Sequence, residues 1–146
     1  MYNKYMNLAI EEAKKALIKG EIPVGAIIVK DNIVIAKAHN TREETQSSLG
    51  HAEINAISLA CKKINNWRLE ECDMYVTMEP CPMCCGAILQ ARIKNVYFGT
   101  YSRENGCMGT VINLPKQLKN NSLTVYGGIM EDECTKLLTD FEYTGK

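Results

Sequence analysis

One histidine and two cysteines set the strongest limit on how this chain can fold. His51 opens the run His51-Ala-Glu-Ile, and Cys81 and Cys84 follow about thirty residues later in Pro80-Cys81-Pro82-Met83-Cys84. The cysteines stand three apart at the head of a stretch, Cys81 to Ala91, that reads as a helix, so both sulfurs project to nearly the same side within its first turn. Apolar residues at Ala52, Ile54, Ala56, Ile57, Leu59, Ala60 and Ile64 predict a second, well-buried helix with His51 in its first turn. A helix start offers unpaired N–H groups and a positive dipole end, which favour the thiolate form of cysteine. Imidazole nitrogen and thiolate sulfur are the donors that zinc prefers. For His51, Cys81 and Cys84 to share one ion, two helix starts must meet, and the carboxyl end of a sheet lying beside both helices is where such starts converge.

The remaining segments supply that sheet. Tyr5, Leu8, Ala9, Ala13, Ala16 and Leu17 fall on one face of an amphipathic helix predicted from about Tyr2 to Lys19, with Gly20 as its stop. Two β-branched runs, Val24 to Lys30 and Ile33 to His39, flank Asp31-Asn32, a turn suited to positive φ, and predict an antiparallel hairpin. Thr41 to Gly50 is polar and without periodicity. Met74 to Glu79, Asn95 to Gly99 and Leu123 to Tyr126 read as strands, Ser102 to Gly109 as a glycine-containing loop, and Met130 to Phe141 as a last helix. Without repeats or linkers, residues 1–146 are expected to form one layered domain, a sheet with helices on both faces.

Composition narrows the function classes. Seven cysteines, an odd number at irregular spacing, do not form a disulfide framework and fit reduced thiols with a metal. The N-terminal stretch turns amphipathic at Glu11, Glu12, Lys14 and Lys15 instead of forming an apolar signal core, and no apolar run is long enough to span a bilayer, so a cytoplasmic protein is expected. A formal net charge of zero lacks the broad basic footprint of nucleic-acid-binding domains. Phosphate contacts then fall to scattered residues such as Arg68, Arg92, Lys94, Arg103, Lys116 and Lys119. The closing Phe141-Glu-Tyr-Thr-Gly-Lys146 carries no basic extension.

Three protein ligands leave zinc an open position for water, whose pKa the ion lowers to about 7. Glu53, two residues from His51, is placed to face that water without binding the metal and to move its protons. Against this stands a closed site: His39 is the other histidine, and with it the set becomes Cys₂His₂ and the zinc structural. Cys85 points about 100° away from Cys84 and reads as packed. Cys61 and Cys134 read as core residues, Cys72 has no motif around it, Cys107 lies in a loop, and Trp67 reads as a packing residue.

The His-x-Glu and Pro-Cys-x-x-Cys pair is similar to the signature of zinc nucleobase deaminases. Together with Pro23-Val-Gly-Ala, Glu79-Pro-Cys-Pro-Met-Cys-Cys-Gly-Ala-Ile, Ala91-Arg-Ile-Lys-Asn-Val-Tyr-Phe-Gly and Gly127-Gly…Glu133-Cys, it resembles the bacterial tRNA adenosine deaminase family over almost the whole chain. The resemblance implies a three-layer α/β/α cytidine deaminase-like fold with a central mixed five-stranded sheet. It also implies a homodimer, one zinc per chain, and conversion of the wobble adenosine of a tRNA anticodon loop to inosine. By position, Asn40 matches an asparagine that hydrogen-bonds the flipped base, and Glu79 the glutamate whose neighbouring backbone frames the pocket. Ser47-Ser-Leu-Gly50 and Ser102 differ from the family where RNA is engaged. Two alternatives stay open: deamination of a free base or nucleoside such as guanine or a cytosine compound, and a non-catalytic zinc module.

Overall fold

A computed structural model describes residues 2–143. Its elements run α1 (Tyr2–Ile18), β1 (Gly25–Lys30), β2 (Ile33–His39), α2 (Arg42–Thr45), α3 (Ala52–Ile64), β3 (Cys72–Met78), α4 (Pro82–Ala91), β4 (Asn95–Thr100), α5 (Leu114–Gln117), β5 (Thr124–Tyr126) and α6 (Glu131–Tyr143). The strands form one five-stranded sheet in the order β2-β1-β3-β4-β5. β1 is antiparallel to both β2 and β3, while β3, β4 and β5 are parallel. This is the expected mixed sheet, and its hairpin turns on Asp31 and Asn32 at φ 50° and 63°, as a two-residue primed turn requires.

Strand alternation sorts the apolar residues into two layers. Ala26, Ile28, Met74, Val76, Val96 and Phe98 face one side and pack with Ala52, Ala56 and Ala60 of α3 and Cys85 and Ile88 of α4. Ile27, Val29, Tyr75 and Tyr97 face the other side and pack against Tyr5, Met6, Ala9, Ile10 and Ala13 of α1 and Cys134 and Leu137 of α6. The result is the three-layer α/β/α arrangement. On the α1 side, Tyr75, Tyr97 and Tyr126 stack in neighbouring strands at centroid spacings of 4.6 and 4.9 Å, and Tyr2 caps Tyr97 at 4.9 Å. Gly25 lets α1 approach β1 closely: a Cβ there would collide with the Ala9 carbonyl and lie 2.6 Å from the Ala13 nitrogen.

Several local expectations are corrected. The polar stretch after Thr41 contains a helical turn, α2, because the buried Glu21 carboxylate accepts from the Glu43 and Glu44 amides at 3.0 and 2.6 Å and so supplies the cap that the Thr41 side chain does not. Likewise α5 forms behind Ser102–Gly109, where the Asn113 side chain accepts from the Lys116 amide. His51 and Cys81 are not inside first turns. Each is an extended N-cap residue immediately before its helix, with a side chain turned away from capping. Leu59 is 47% exposed on the outer face of α3. Trp67 is no core residue either: it is 51% exposed, with the guanidinium carbons of Arg68 and Arg92 4.3 and 5.1 Å from its ring centroid. Of the chain's final stretch, Thr144, Gly145 and Lys146 lie outside the described residues.

Candidate active site

The β3–α4–β4 crossover and the N-terminus of α3 place the three ligand candidates together. β3 ends at Met78, and the chain turns through Glu79-Pro80-Cys81 into α4, which starts with Pro82 at its first position. His51 Nδ1 lies 3.6 Å from Cys81 Sγ and 3.4 Å from Cys84 Sγ, and all three donor atoms fall within 4.8 Å of one another. Zinc bonds of about 2.0–2.1 Å to nitrogen and 2.3 Å to sulfur at tetrahedral angles put nitrogen and sulfur about 3.6 Å apart. The donor set and spacing therefore fit a single tetrahedral ion with one further position.

The local electrostatics favour a cation. Hydrogen bonds from the Cys84 thiol and from His51 outweigh burial and draw Cys81 down to about 4, so one thiolate is already favoured. That thiolate in turn raises the His51 pKa. Cys84, donating to Cys81 and buried, is pushed upward. A buried cluster in which one sulfur is charged and the next must hold its proton is relieved when a divalent cation replaces that proton. Glu53 points into the same space. It is 4% exposed, and burial, opposed by its backbone hydrogen bond, raises it to about 7.

A cavity of 540 Å³ opens beside this group, beyond the carboxyl ends of β3 and β4. Because β1 runs antiparallel to its neighbours, the start of β1 and the end of β2 reach the same rim. Val24, Asn40, His51, Glu53, Met78 and Glu79 thus meet around it, with Tyr101 to Asn105 as one wall and Leu138 and Phe141 of α6 above. Every sequence-derived site residue except Cys81 and Cys84 lines the cavity, and those two sulfurs reach it through His51.

The two polar candidates differ in what their side chains do. Asn40 is buried, and its Nδ2 donates to Glu21 Oε1 at 3.2 Å. Glu79, 3% exposed, spends its carboxylate on the wall. Oε1 accepts from the Ser102 amide at 3.1 Å and the Thr110 hydroxyl at 2.5 Å, and Oε2 accepts from the Met108 and Thr110 amides at 3.0 and 3.1 Å. Gly106 packs so tightly on this clamp that a Cβ would lie 2.5 Å from the Glu79 carboxyl. Ser102 is itself buried, its hydroxyl accepting from the Asn105 amide. Glu21 and Arg42 escaped the sequence reading; Glu21 has no motif around it, and Arg42 reaches the rim only because α2 forms.

The rival ligands fall away. His39 Nδ1 sits 3.0 Å from Glu12 Oε1, between α1 and β2, and is not part of the His51–Cys81–Cys84 group. Cys85 packs in the core below α4, and Cys72, Cys107 and Cys134 are buried as free thiols. Cys61 is half-buried. Of the six scattered basic residues only Arg103 lines the cavity; Arg92 and Lys94 lie at the opposite end of the sheet, where β4 begins.

Comparison with known proteins agrees with this geometry. The model of the MafB19-like deaminases matches residues 2–137. The tRNA-specific adenosine deaminase of Bacillus subtilis is 47% identical over 138 residues, 94% of this chain and 86% of that protein. A solved structure of a tRNA:A34 deaminase, studied for A-to-I editing at the wobble position of transfer RNA, superposes with a TM-score of 0.90 at 37% identity, covering 92% of this chain and 99% of the other. The guanine deaminase of Bacillus subtilis is 37% identical with a TM-score of 0.65 over 67% of this chain and 63% of its own. With a deaminase model spanning nearly its full length and a relative close to half identical, the chain belongs to the bacterial tRNA adenosine deaminase family, within the cytidine deaminase-like fold.

Proposed function

We propose that this protein is a zinc-dependent hydrolytic deaminase that converts adenosine to inosine at the wobble position of a tRNA anticodon loop. The observation that carries the reading is the meeting of His51, Cys81 and Cys84 within ligand distance of one another beside the buried Glu53, at the floor of a cavity large enough for a purine. His51, Cys81 and Cys84 hold the metal, one per chain. Bound there, zinc supplies a Lewis acid that brings the pKa of a water molecule near neutrality.

Everything else is done by the chain. Glu53 accepts a proton from the attacking water and passes it to the ring nitrogen, then takes the proton of the newly added hydroxyl and delivers it to the amine as the C–N bond breaks, so that an amino base and water become an oxo base and ammonia. Its burial keeps the carboxyl protonatable near neutral pH and shields the transfer from bulk water. Asn40 offers its amide to the base, and Glu79 acts through the Ser102–Thr110 wall that it holds. Arg42 and Arg103, exposed on two sides of the opening, supply positive charge where a polynucleotide backbone would pass.

The same reading takes residues 1–146 as one deaminase domain, working in the cytoplasm as a homodimer. Among the described residues no helix is long and apolar enough to cross a membrane. A second reading, deamination of a free base such as guanine, is favoured by the likeness to a guanine deaminase, by Ser102 and by the zero net charge. One assay separates them: zinc-loaded protein is given an arginine tRNA anticodon stem-loop and, separately, a panel of free bases and nucleosides, while inosine and ammonia are measured. Inosine in the stem-loop is the expected result; ammonia from free bases alone would replace the first reading with the second. Glu53→Ala should keep one zinc per chain and lose turnover, and a variant that retained both would remove Glu53 from the mechanism.

A further inference from the structure

We infer that Glu21 is the positioning residue of the base-recognition side of the site: it sets which edge of the Asn40 amide faces the cavity and holds the α2 wall in register with it. The inference rests on the substrate-binding role proposed for Asn40. Glu21 is 1% exposed and lies in the connection between α1 and β1. A carboxylate so buried is stable only where hydrogen bonds compensate its lost hydration, and three converge on it. Oε1 accepts from Asn40 Nδ2 at 3.2 Å and from the Glu43 amide at 3.0 Å, and Oε2 accepts from the Glu44 amide at 2.6 Å.

The chemistry of the acceptor decides the orientation. An ionised carboxylate has no hydrogen to give, so the asparagine must turn its NH₂ toward Glu21, whereas an amide beside another amide could bond in either of two orientations. With Nδ2 committed, and no described residue donating to Oδ1, the carbonyl edge and the second N–H of Asn40 remain for a ligand in the cavity that this residue lines. The same carboxylate holds the first amides of α2, which carries Arg42 to the cavity rim. Glu79 does for the Ser102–Thr110 wall what Glu21 does for the Asn40–Glu44 wall.

The test is a double-mutant cycle in the full, zinc-loaded protein with the anticodon stem-loop as substrate. Glu21→Gln keeps the volume and frees the Asn40 amide to reverse. It should lower kcat/KM by about tenfold or more, the scale of one charge-assisted hydrogen bond, with zinc content unchanged. In an Asn40→Ala background the same substitution should cost at least about threefold less than in wild type, because the group it orients is gone and only its hold on α2 remains. The Asn40 side-chain NH₂ resonances should shift in Glu21→Gln, a readout independent of turnover. Glu21→Asp, which keeps the charge but shortens its reach, is measured in parallel and should lie between wild type and Glu21→Gln; it carries the cycle if the glutamine variant does not fold. Equal losses in both backgrounds, or no loss in wild type, would overturn the inference while leaving the Asn40 reading intact. Full activity of Asn40→Ala would overturn both, and that outcome is distinguishable from the other two.

Discussion

Replacing Glu79 by glutamine tests whether one buried carboxylate holds a wall of the cavity. The side chain changes by one atom and no volume, so the effect is confined to hydrogen bonding. In the native chain Oε2 receives two backbone amides, from Met108 and Thr110, and Oε1 receives the Ser102 amide and the Thr110 hydroxyl. A glutamine NH₂ placed at Oε2 would oppose two donors that cannot reverse. Placed at Oε1, it opposes only the Ser102 amide, since the hydroxyl can rotate to accept. The second orientation wins, and even so one buried N–H loses its partner at about 1–3 kcal/mol, while the two bonds at Oε2 fall from charge-assisted to neutral at about 1 kcal/mol each. Allowing for relaxation, the net loss is about 3 kcal/mol, a large share of the stability of an ordinary domain. At this chain length that corresponds to a fall in Tm of about 10 °C. Thermal unfolding of the zinc-loaded protein measures it, and amide hydrogen exchange should show Ser102, Met108 and Thr110 losing protection while strand amides of β3 and β4 keep theirs. A Tm within about 2 °C of wild type, with those three amides still protected, would refute the clamp.

Three other outcomes follow from the same structure. Cys84→Ser should reduce bound zinc from one per chain to a small fraction and abolish turnover, whereas His39→Ala should retain both; metal analysis of the purified variants decides between the open and the closed site. Burial tends to raise the Glu12 pKa, but hydrogen bonds to His39 and Lys15 more than offset it and leave the value lowered. A carboxylate so depressed stabilises the fold above its unfolded pKa near 4.5 and loses that contribution as pH falls through its folded value. Wild type should therefore be more stable than Glu12→Gln at neutral pH and lose that margin below about pH 4.5, and a margin independent of pH would contradict the pairing. Gly25→Ala should destabilise the protein by several kcal/mol, roughly 3 or more, because the added methyl meets the Ala9 and Ala13 backbone of α1, which cannot rotate aside; an unchanged Tm would show that α1 sits further from β1.

How much of this was legible beforehand depended on the range of the interaction. Helices α1, α3, α4 and α6 and all five strands follow from spacings that repeat within a few residues, and the Asp31-Asn32 turn from the conformational tolerance of those two side chains. That His51, Cys81 and Cys84 could share a metal was equally plain, because metal chemistry restricts the residue types and helix geometry restricts their separation, and the structure brings the three together with Glu53 in the adjoining cavity. What failed locally failed for a tertiary reason. The α2 turn needs Glu21, more than twenty residues away, and Leu59 matches its helix's apolar pattern yet lies where no described layer covers it.

The site divides along the same line. Residue type and spacing along the chain were enough to propose a metal-binding set with a carboxylate beside it, since those demands are local to two helix starts. Which histidine joins the set, which edge of Asn40 is held, and that the Glu79 carboxylate faces the Ser102–Thr110 wall were decided only when the sheet brought β2, β3 and their following loops to one end. A buried carboxylate takes whichever N–H groups the fold delivers to it, and those partners, lying twenty to thirty residues away, leave no periodic trace in the sequence.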